Sequence, residues 1–295
     1  MKSGFVSLIG RPNVGKSTLI NTILNTKIAI TSSKPQTTRN IIKGIYNDID
    51  SQIIFLDTPG IHKPKHKLGN ELNRQAYYSI EDVDILLLLV DAKEGLGKGD
   101  EFIINKLENI NKPVILVINK VDGMNNEQVM DIILKYKDLY NFSEIVPVSA
   151  LTAKNIDTLI KVIKEYLPDN IKYYDDKTIT TSPLEFVMSE IIREKIFRLT
   201  EEEVPHSTAV KIEMVETSKE TYVIYATIVV ERDALKRIII GKQGSMVKQI
   251  GIEARRDLEK LLKKKVYLEL KVKTIKKWRD KENTVRELGH FEEIW

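Results

Sequence analysis

The chain has no cysteine among its 295 residues. That excludes a disulfide framework and a thiolate metal centre. Its four histidines, His62, His66, His206 and His290, are scattered and form no zinc motif. Long hydrophobic runs are missing too. The longest, "ILLLLV" at 85–90, falls far short of the roughly 20 residues that cross a bilayer as a helix. The opening "MKSGFVSLIG" passes straight into an ordered motif, so the expectation is a cytoplasmic protein without a signal peptide. No internal repeat or low-complexity tract is present.

What is present is an ordinary globular balance, 42% hydrophobic and 30% charged. The length exceeds one ordinary core and suits two domains. The net charge of +4 is unevenly spread. Residues 232–281 hold 17 Lys or Arg against 6 Asp or Glu, so the rest of the chain is acidic. A basic block of this kind invites a nucleic-acid backbone. A solvated helix face beside an exposed strand is the plainer alternative.

The first half alternates strand-like and helix-like segments. Near-continuous apolar stretches at 84–91 and 113–119 read as strands of a buried parallel sheet, with a short apolar strand at 5–10, a hairpin of strands at 41–48 and 51–57, and a further short strand at 144–150. Helical patterns fall at 16–24 and near 70–80, 99–109, 125–138 and 155–166. This rhythm predicts an α/β sheet covered by helices. "LPDNIKYYDDKTITTSP", 167–183, has two prolines and no stripe, and the linker is placed there. Beyond it the order changes to a helix at 183–200, strands at 207–217 and 221–231, helices at 233–240 and 245–262, and a half-buried strand at 265–275. The tail has a further helical candidate in "VRELGHFEEIW".

Four separated pieces spell a nucleotide site. "GRPNVGKS", Gly10 to Ser17, follows a strand and opens a helix, the setting of a phosphate-binding loop. Gly10 and Gly15 let backbone N–H groups curl around phosphate oxygens, Lys16 brings charge, and Ser17 offers a hydroxyl to magnesium. "DTPG" supplies Asp57 for the metal and Gly60 for the γ-phosphate. In "NKVD", Asn119 to Asp122, the Asp122 carboxylate can accept both N–H donors of guanine's edge, a pattern adenine lacks. "SA", Ser149 and Ala150, places a backbone N–H for guanine O6. Together these specify GTP and GDP. Between the first two pieces, "SSKPQTTRN" (32–40) reads as a switch in which Thr37 or Thr38 reaches magnesium, and "IHKPKHKLGNEL" after Gly60 as a second. The position after Gly60 lacks the glutamine that orients water in some GTPases. It is Ile61, so a slow intrinsic rate is expected.

A second glycine loop, "IIIGKQGSMVKQIG" at 238–251, lies between two helices. It lacks the preceding strand and companion motifs of a nucleotide site. A helix–turn–helix corner with Ser245 capping the second helix is one reading. The other is the G-x-x-G clamp of KH modules, which grips single-stranded nucleic acid by its backbone. There Gly241 and Gly244 allow close approach, Lys242 brings charge, and Lys248, Arg255 and Arg256 reach phosphates. Lys271, Lys273, Lys276 and Lys277 add charge beyond them, and Trp278 reads as a packing residue.

These stretches, with "GRPNVGKSTLIN" (10–21), "QTTR" (36–39) and "DTPGIHKPKHKLG" (57–69), resemble the Era family of bacterial ribosome-assembly GTPases over essentially the whole chain. The resemblance implies a Ras-like P-loop GTPase domain of α/β fold at 1–170, a linker at 171–182, an α+β type II KH domain at 183–275, and a tail at 276–295 packed on or near it. It implies nucleotide contacts from Gly10, Arg11, Pro12, Asn13, Val14, Gly15, Lys16, Ser17 and Thr18, then Asp57, Gly60, Asn119, Lys120, Asp122, Ser149 and Ala150. Ser17, Thr38 and Asp57 would hold Mg2+. Asn13, Lys16, Thr38 and Gly60 would carry hydrolysis, with Asn13 at the position that holds K+ in some relatives. Ile240, Gly241, Lys242, Gln243, Gly244, Ser245, Lys248, Arg255 and Arg256 would face RNA. The implied partners are GTP and GDP, 16S rRNA near its 3′ end and the small (30S) ribosomal subunit. The protein would be a monomer in the cytoplasm, in part peripheral on the inner face of the cell membrane. A signalling GTPase whose basic domain reads anionic lipid is the competing class.

Overall fold

Strand β1, Lys2–Gly10, runs into the glycine loop and helix α1, Lys16–Leu24, as an apolar strand feeding a Gly-rich turn should. The computed structural model describes residues 1–31, 34, 37–61 and 67–288. Strands β2 (Ile42–Asn47) and β3 (Ser51–Asp57) form the antiparallel hairpin expected from the sequence, with Asp48 N–H donating to Ser51 O at its turn. Helix α2 (Lys67–Glu81) follows, then β4 (Ile85–Asp91), α3 (Lys98–Lys106), β5 (Val114–Asn119), α4 (Asn126–Tyr136), β6 (Glu144–Pro147) and α5 (Ile156–Tyr166).

The six strands lie in the order β2-β3-β1-β4-β5-β6, parallel except for β2. β3, β4 and β5 are buried at every residue, which is why β4 and β5 read as near-continuous apolar runs rather than alternating ones. In α2, Leu72, Ala76 and Ile80 recur every four residues and are all buried, the last two in the core built on Leu86, Leu88 and Leu116. The strand order reverses direction around β1. In open sheets of this kind the crevice at the carboxyl ends of the strands there is where ligands sit. The phosphate-binding loop leaves β1 at that end.

The chain divides into two compact units, Met1–Pro64 with Glu71–Thr181 and Lys65–Asn70 with Ser182–Trp295. Residues 171–181, read from sequence as linker, lie in the first. They are tied along its sheet rather than hanging free. Ile45 N–H donates to Ile179 O (2.8 Å), Gly44 pairs with Thr180 in an antiparallel bridge, and Thr180 Oγ1 donates to Lys43 O (2.6 Å). The cause is that β2 is an edge strand whose outer backbone groups need partners.

In the second unit, helix α6 (Leu184–Leu199) is followed by β7 (Thr208–Thr217), β8 (Thr221–Val230), α7 (Asp233–Ile240), α8 (Ser245–Leu262) and β9 (Lys265–Thr274). β7 and β8 are antiparallel, and β9 joins β8 in parallel. Ile192, Ile196, Ala226, Ile228, Ile250 and Ala254 share one core, so α6 and α8 cover one face of the sheet. This is the α+β order of a type II KH module. Trp278 is fully buried and its Nε1 donates to Ser207 O (3.0 Å), the packing role expected of it. Helix α9, Glu282–Glu287, lies in the tail, and residues 289–295 of the helical candidate fall outside the described residues.

Candidate nucleotide site and second glycine loop

The loop Gly10–Ser17 bends through Gly15 at φ 99°, and a Cβ there would lie 2.3 Å from Asn119 Nδ2. Only glycine admits that approach. Asn119, the buried end of β5, uses it to donate to Val14 O (2.8 Å). The third motif is thus fastened directly to the first.

Lys16 is buried and folds back to donate to Gly10 O (3.2 Å) and Arg11 O (3.0 Å). Burial drives its pKa down to about 8, against partial opposition from the Asp57 carboxylate. An anion at the loop would reverse that cost. Ser17 Oγ donates to Asp57 Oδ2 (2.5 Å), lies 2.9 Å from Thr38 Oγ1, and Thr38 Oγ1 donates to the same Asp57 oxygen (3.3 Å). Residues from three separate motifs therefore meet at one point. Of the two threonines left open by chemistry alone, Thr38 stands in this cluster, while Thr37 donates to Lys34 O. Two hydroxyls and a carboxylate are a hard-oxygen set, which fits magnesium and not a soft metal. Magnesium is generic to P-loop GTPases, where it bridges and neutralises phosphate oxygens.

A cavity of about 260 Å³ opens over the loop, lined among others by Asn13, Lys16, Thr18, Gly60 and Lys120. Ile30, Thr31 and Glu94 line it too. None of these three belongs to a motif, so nothing in the sequence marked them. Gly60 lies against Pro12 of the loop. Ile61 is buried in the sheet's core, and its apolar side chain has no group with which to orient a water. Of the two switch readings, residues 32, 33, 35, 36 and 62–66, with His62 and His66, fall outside the described residues. Thr38, Arg39 and Asn40 are buried.

At the guanine end, Asp122 accepts from Ser149 Oγ (2.9 Å) and from Lys93 Nζ (2.6 Å), and these bonds hold its carboxyl below the usual carboxylate range. Lys120 pairs with Asp91, the last residue of β4. The Ala150 N–H, read as a donor to guanine O6, donates to Asn119 Oδ1 (3.0 Å). The physical reason is that Asn119 is buried and both ends of its amide need partners. Arg11 turns away from the cavity's phosphate-loop lysine towards α3, where Asp100 Oδ1 accepts from its Nε (2.9 Å).

In the second unit, α7 ends at Gly241 and α8 begins at Ser245. The cap of α8 is Gly244 at φ 78°, with no side-chain cap bond, so Ser245 is the first helical residue and not the cap. Lys242, Gln243, Ser245, Lys248, Arg255 and Arg256 are exposed, and Ile240 is half-buried. Of the flanking apolar residues, Ile239 and Ile250 are core while Ile238 is exposed. A groove of about 360 Å³ between α8 and β9 brings Lys248 and Arg255 together with Val247, Ile252 and Tyr267. Arg256 does not line it. Tyr267 and Ile252 were not singled out from the sequence. Alternation along β9 marks Tyr267 as outward, but parity alone does not say that a groove runs beside it.

A family model described as 50S ribosome-binding GTPase matches residues 5–120, and a KH domain model matches 203–279. A crystal structure of an Aquifex aeolicus Era variant bound to GDP and AlF4− is 44% identical, at TM-score 0.96, covering 98% of this chain and 99% of that one. The chain belongs to the Era family. A second solved structure, Era in complex with MgGDPNP and nucleotides 1506–1542 of 16S ribosomal RNA, is also 44% identical, at TM-score 0.95, over 98% of this chain and 99% of that one. This family member is thus a P-loop GTPase followed by a KH domain. Among the described residues, no helix is long and apolar enough to cross a membrane.

Proposed function

We propose that the protein is a GTP-hydrolysing switch that binds 16S rRNA near its 3′ end and assists assembly and maturation of the small ribosomal subunit. The observation that carries this is the likeness, over nearly the full length of both chains, to an Era bound at once to a GTP analogue and to that RNA. The exposed G-x-x-G turn beside a basic groove supports it, because such a turn lets a phosphate backbone approach and donates N–H groups to it.

The division into a GTPase domain at 1–170, with 171–181 counted in the same unit, an RNA-binding domain at 183–275 and a tail at 276–295 belongs to this proposal, as do the residue roles. Gly10 to Thr18 form the phosphate loop, with the Arg11 side chain bracing it against α3. Ser17, Thr38 and Asp57 hold magnesium. Asp122, with Asn119, Lys120, Ser149 and Ala150, reads guanine. Gly60 senses the γ-phosphate, and Asn13 takes a potassium ion that stabilises charge in place of an arginine finger. Ile240 to Ser245 with Lys248, Arg255 and Arg256 face RNA. Hydrolysis is slow without partners, since Ile61 stands where other GTPases hold a water-orienting glutamine. A monomer in the cytoplasm with peripheral contact at the inner membrane face completes the reading.

The test is the affinity for a single-stranded RNA of the 16S 3′ end, measured with GDP and with a non-hydrolysable GTP analogue. Tighter binding with the analogue supports a switch. Equal affinities remove nucleotide control of binding, and no RNA affinity in either state removes the RNA reading itself. Anionic vesicles that compete with the RNA would favour the lipid-reading alternative.

A further inference from the structure

Asp122 is the one carboxylate in the guanine-reading motif, and it is already engaged on both oxygens. Ser149 donates to Oδ1, and the Lys93 ammonium lies 2.6 Å from Oδ2. Guanine presents two donors side by side, N1–H and the 2-amino group, and a carboxylate reads them with both oxygens. Ser149 is a neutral hydroxyl that leaves the second lone pair of Oδ1 available. Lys93 brings a full positive charge to the other oxygen, Oδ2, which a base read by both oxygens also needs. Two donors, one of them cationic, then crowd one oxygen.

Lys93 is held at this place. Its backbone N–H donates to Asp91 Oδ1 (2.9 Å), as does that of Glu94 (3.3 Å), and Gly95 N–H closes the turn on Asp91 O (2.9 Å). Asp91 also pairs with Lys120 of the guanine motif. The last residue of β4 therefore sets two lysines beside the base site. The Lys93 side chain is 53% exposed while Asp122 is 22% exposed. Withdrawal of the ammonium into water is cheap, and the pair is not a buried one that would block the site outright.

We infer that Lys93 competes with guanine for the Asp122 carboxylate and so limits how tightly and how long the protein holds a guanine nucleotide. The lysine swings out as the base docks and returns as it leaves, offering the carboxylate a substitute donor during release. Product loss then depends less on an outside exchange factor. This rests on the guanine-reading role of Asp122.

The experiment is stopped-flow release and equilibrium binding of mant-GDP, with Lys93→Met keeping the chain's length and removing its charge. An exposed ion pair of this kind corresponds to about a two- to fivefold effect. Lys93→Met is expected to release mant-GDP about that much more slowly and to bind it correspondingly tighter, with Lys93→Arg restoring the faster release. Because salt screens exposed charges, the gap between wild type and Lys93→Met narrows as potassium chloride is raised. Release as fast as wild type or faster in Lys93→Met, or a gap indifferent to salt, overturns the inference. Asp122→Ala separates this from the underlying reading: if it binds mant-GDP as well as wild type, Asp122 does not read guanine and the competition has no object.

Discussion

Arg11 Nε lies 2.9 Å from Oδ1 of Asp100, a fully buried carboxylate in the first turn of α3. The other oxygen accepts from Gly97 N–H (3.0 Å) and the Tyr136 hydroxyl (3.4 Å), and Arg11 also donates to Gly95 O (3.1 Å). Gly99 makes room, since a Cβ there would lie 2.6 Å from Arg11 Cδ. An arginine inside the phosphate loop is thus a strut that fixes the loop to α3, rather than a mobile charge for the phosphates.

Removing that anchor should loosen the loop. Asp100→Ala leaves a guanidinium that is four-fifths buried with, among the described residues, Glu94 at 3.4 Å for charge compensation. The expected loss of stability is at the lower end of the roughly 3–5 kcal/mol for breaking a buried pair. The loop's geometry should suffer as well, raising KM for GTP more than it lowers kcat. Urea unfolding and steady-state hydrolysis check both. A variant with wild-type stability and KM would show that the strut is idle.

Lys16 makes a prediction about pH. Burial lowers its folded pKa to about 8 from 10.5. Below pH 8 the lysine is charged in both folded and unfolded states, and its burial is a constant penalty. Between about 8 and 10.5 the folded state sheds the proton while the unfolded state keeps it, so stability rises with pH across that window. Lys16→Met, which carries no charge to bury, should be more stable than wild type at pH 7 by up to about 3 kcal/mol, and the gap should close towards pH 10. A gap independent of pH would contradict the shift. GDP phosphates beside Lys16 restore its proton, so calorimetry in two buffers should show proton uptake that grows from pH 7.5 to 8.5.

Most of the fold was legible because it follows from short-range pattern. "ILLLLVD" had to be a strand buried on both faces, and the glycine loop follows directly on the apolar strand β1. The nucleotide motifs were legible for the same reason, each lying at the end of a strand. The partners Arg11–Asp100 and Lys93–Asp122 are 89 and 29 residues apart, and no local period records such a contact. Of the two readings of the turn, the plain corner put Ser245 at the helix cap because serine there is usual. The positive φ of Gly244 is what removes it from that position. Residues 171–181 lacked a stripe and so looked like a tether, although their partners are backbone groups that leave no trace in side-chain pattern.

Gln52 carries much of that docking. It is fully buried, its Nε2 donates to Tyr174 O (2.8 Å) and Asn47 Oδ1 (2.7 Å), and its Oε1 accepts from the Tyr173 and Tyr174 N–H groups (2.8 and 2.9 Å). Gln52→Leu keeps the volume and strands those four partners. The cost should be about 2 kcal/mol or more, the desolvation penalty of unpaired buried groups. Hydrogen exchange should speed up at Tyr173 and Tyr174 before it does in β3. Unchanged protection there would mean the segment is held by other contacts.

The two glycines of the G-x-x-G turn are not equivalent, and this decides how the RNA reading is tested. Gly241 sits at φ 72°, ψ 176°, a region open to glycine almost alone, and a Cβ there would lie 2.7 Å from Met246 Cβ. Gly241→Asp therefore strains the start of α8 and costs about 1–3 kcal/mol from backbone alone, so lost RNA binding in that variant says nothing about a clamp. Gly244 sits at φ 78°, ψ 12°, left-handed backbone in which Asp is among the less penalised side chains, and a Cβ there meets nothing within 4 Å. Gly244→Asp places a negative charge in open space where a phosphate would pass. It should lose no more than about 1–2 kcal/mol of stability and keep its GTP affinity while lowering RNA affinity at least about tenfold, with the deficit shrinking as salt rises. If Gly244→Asp binds the 16S 3′-end RNA as wild type does, the turn is only a corner between two helices.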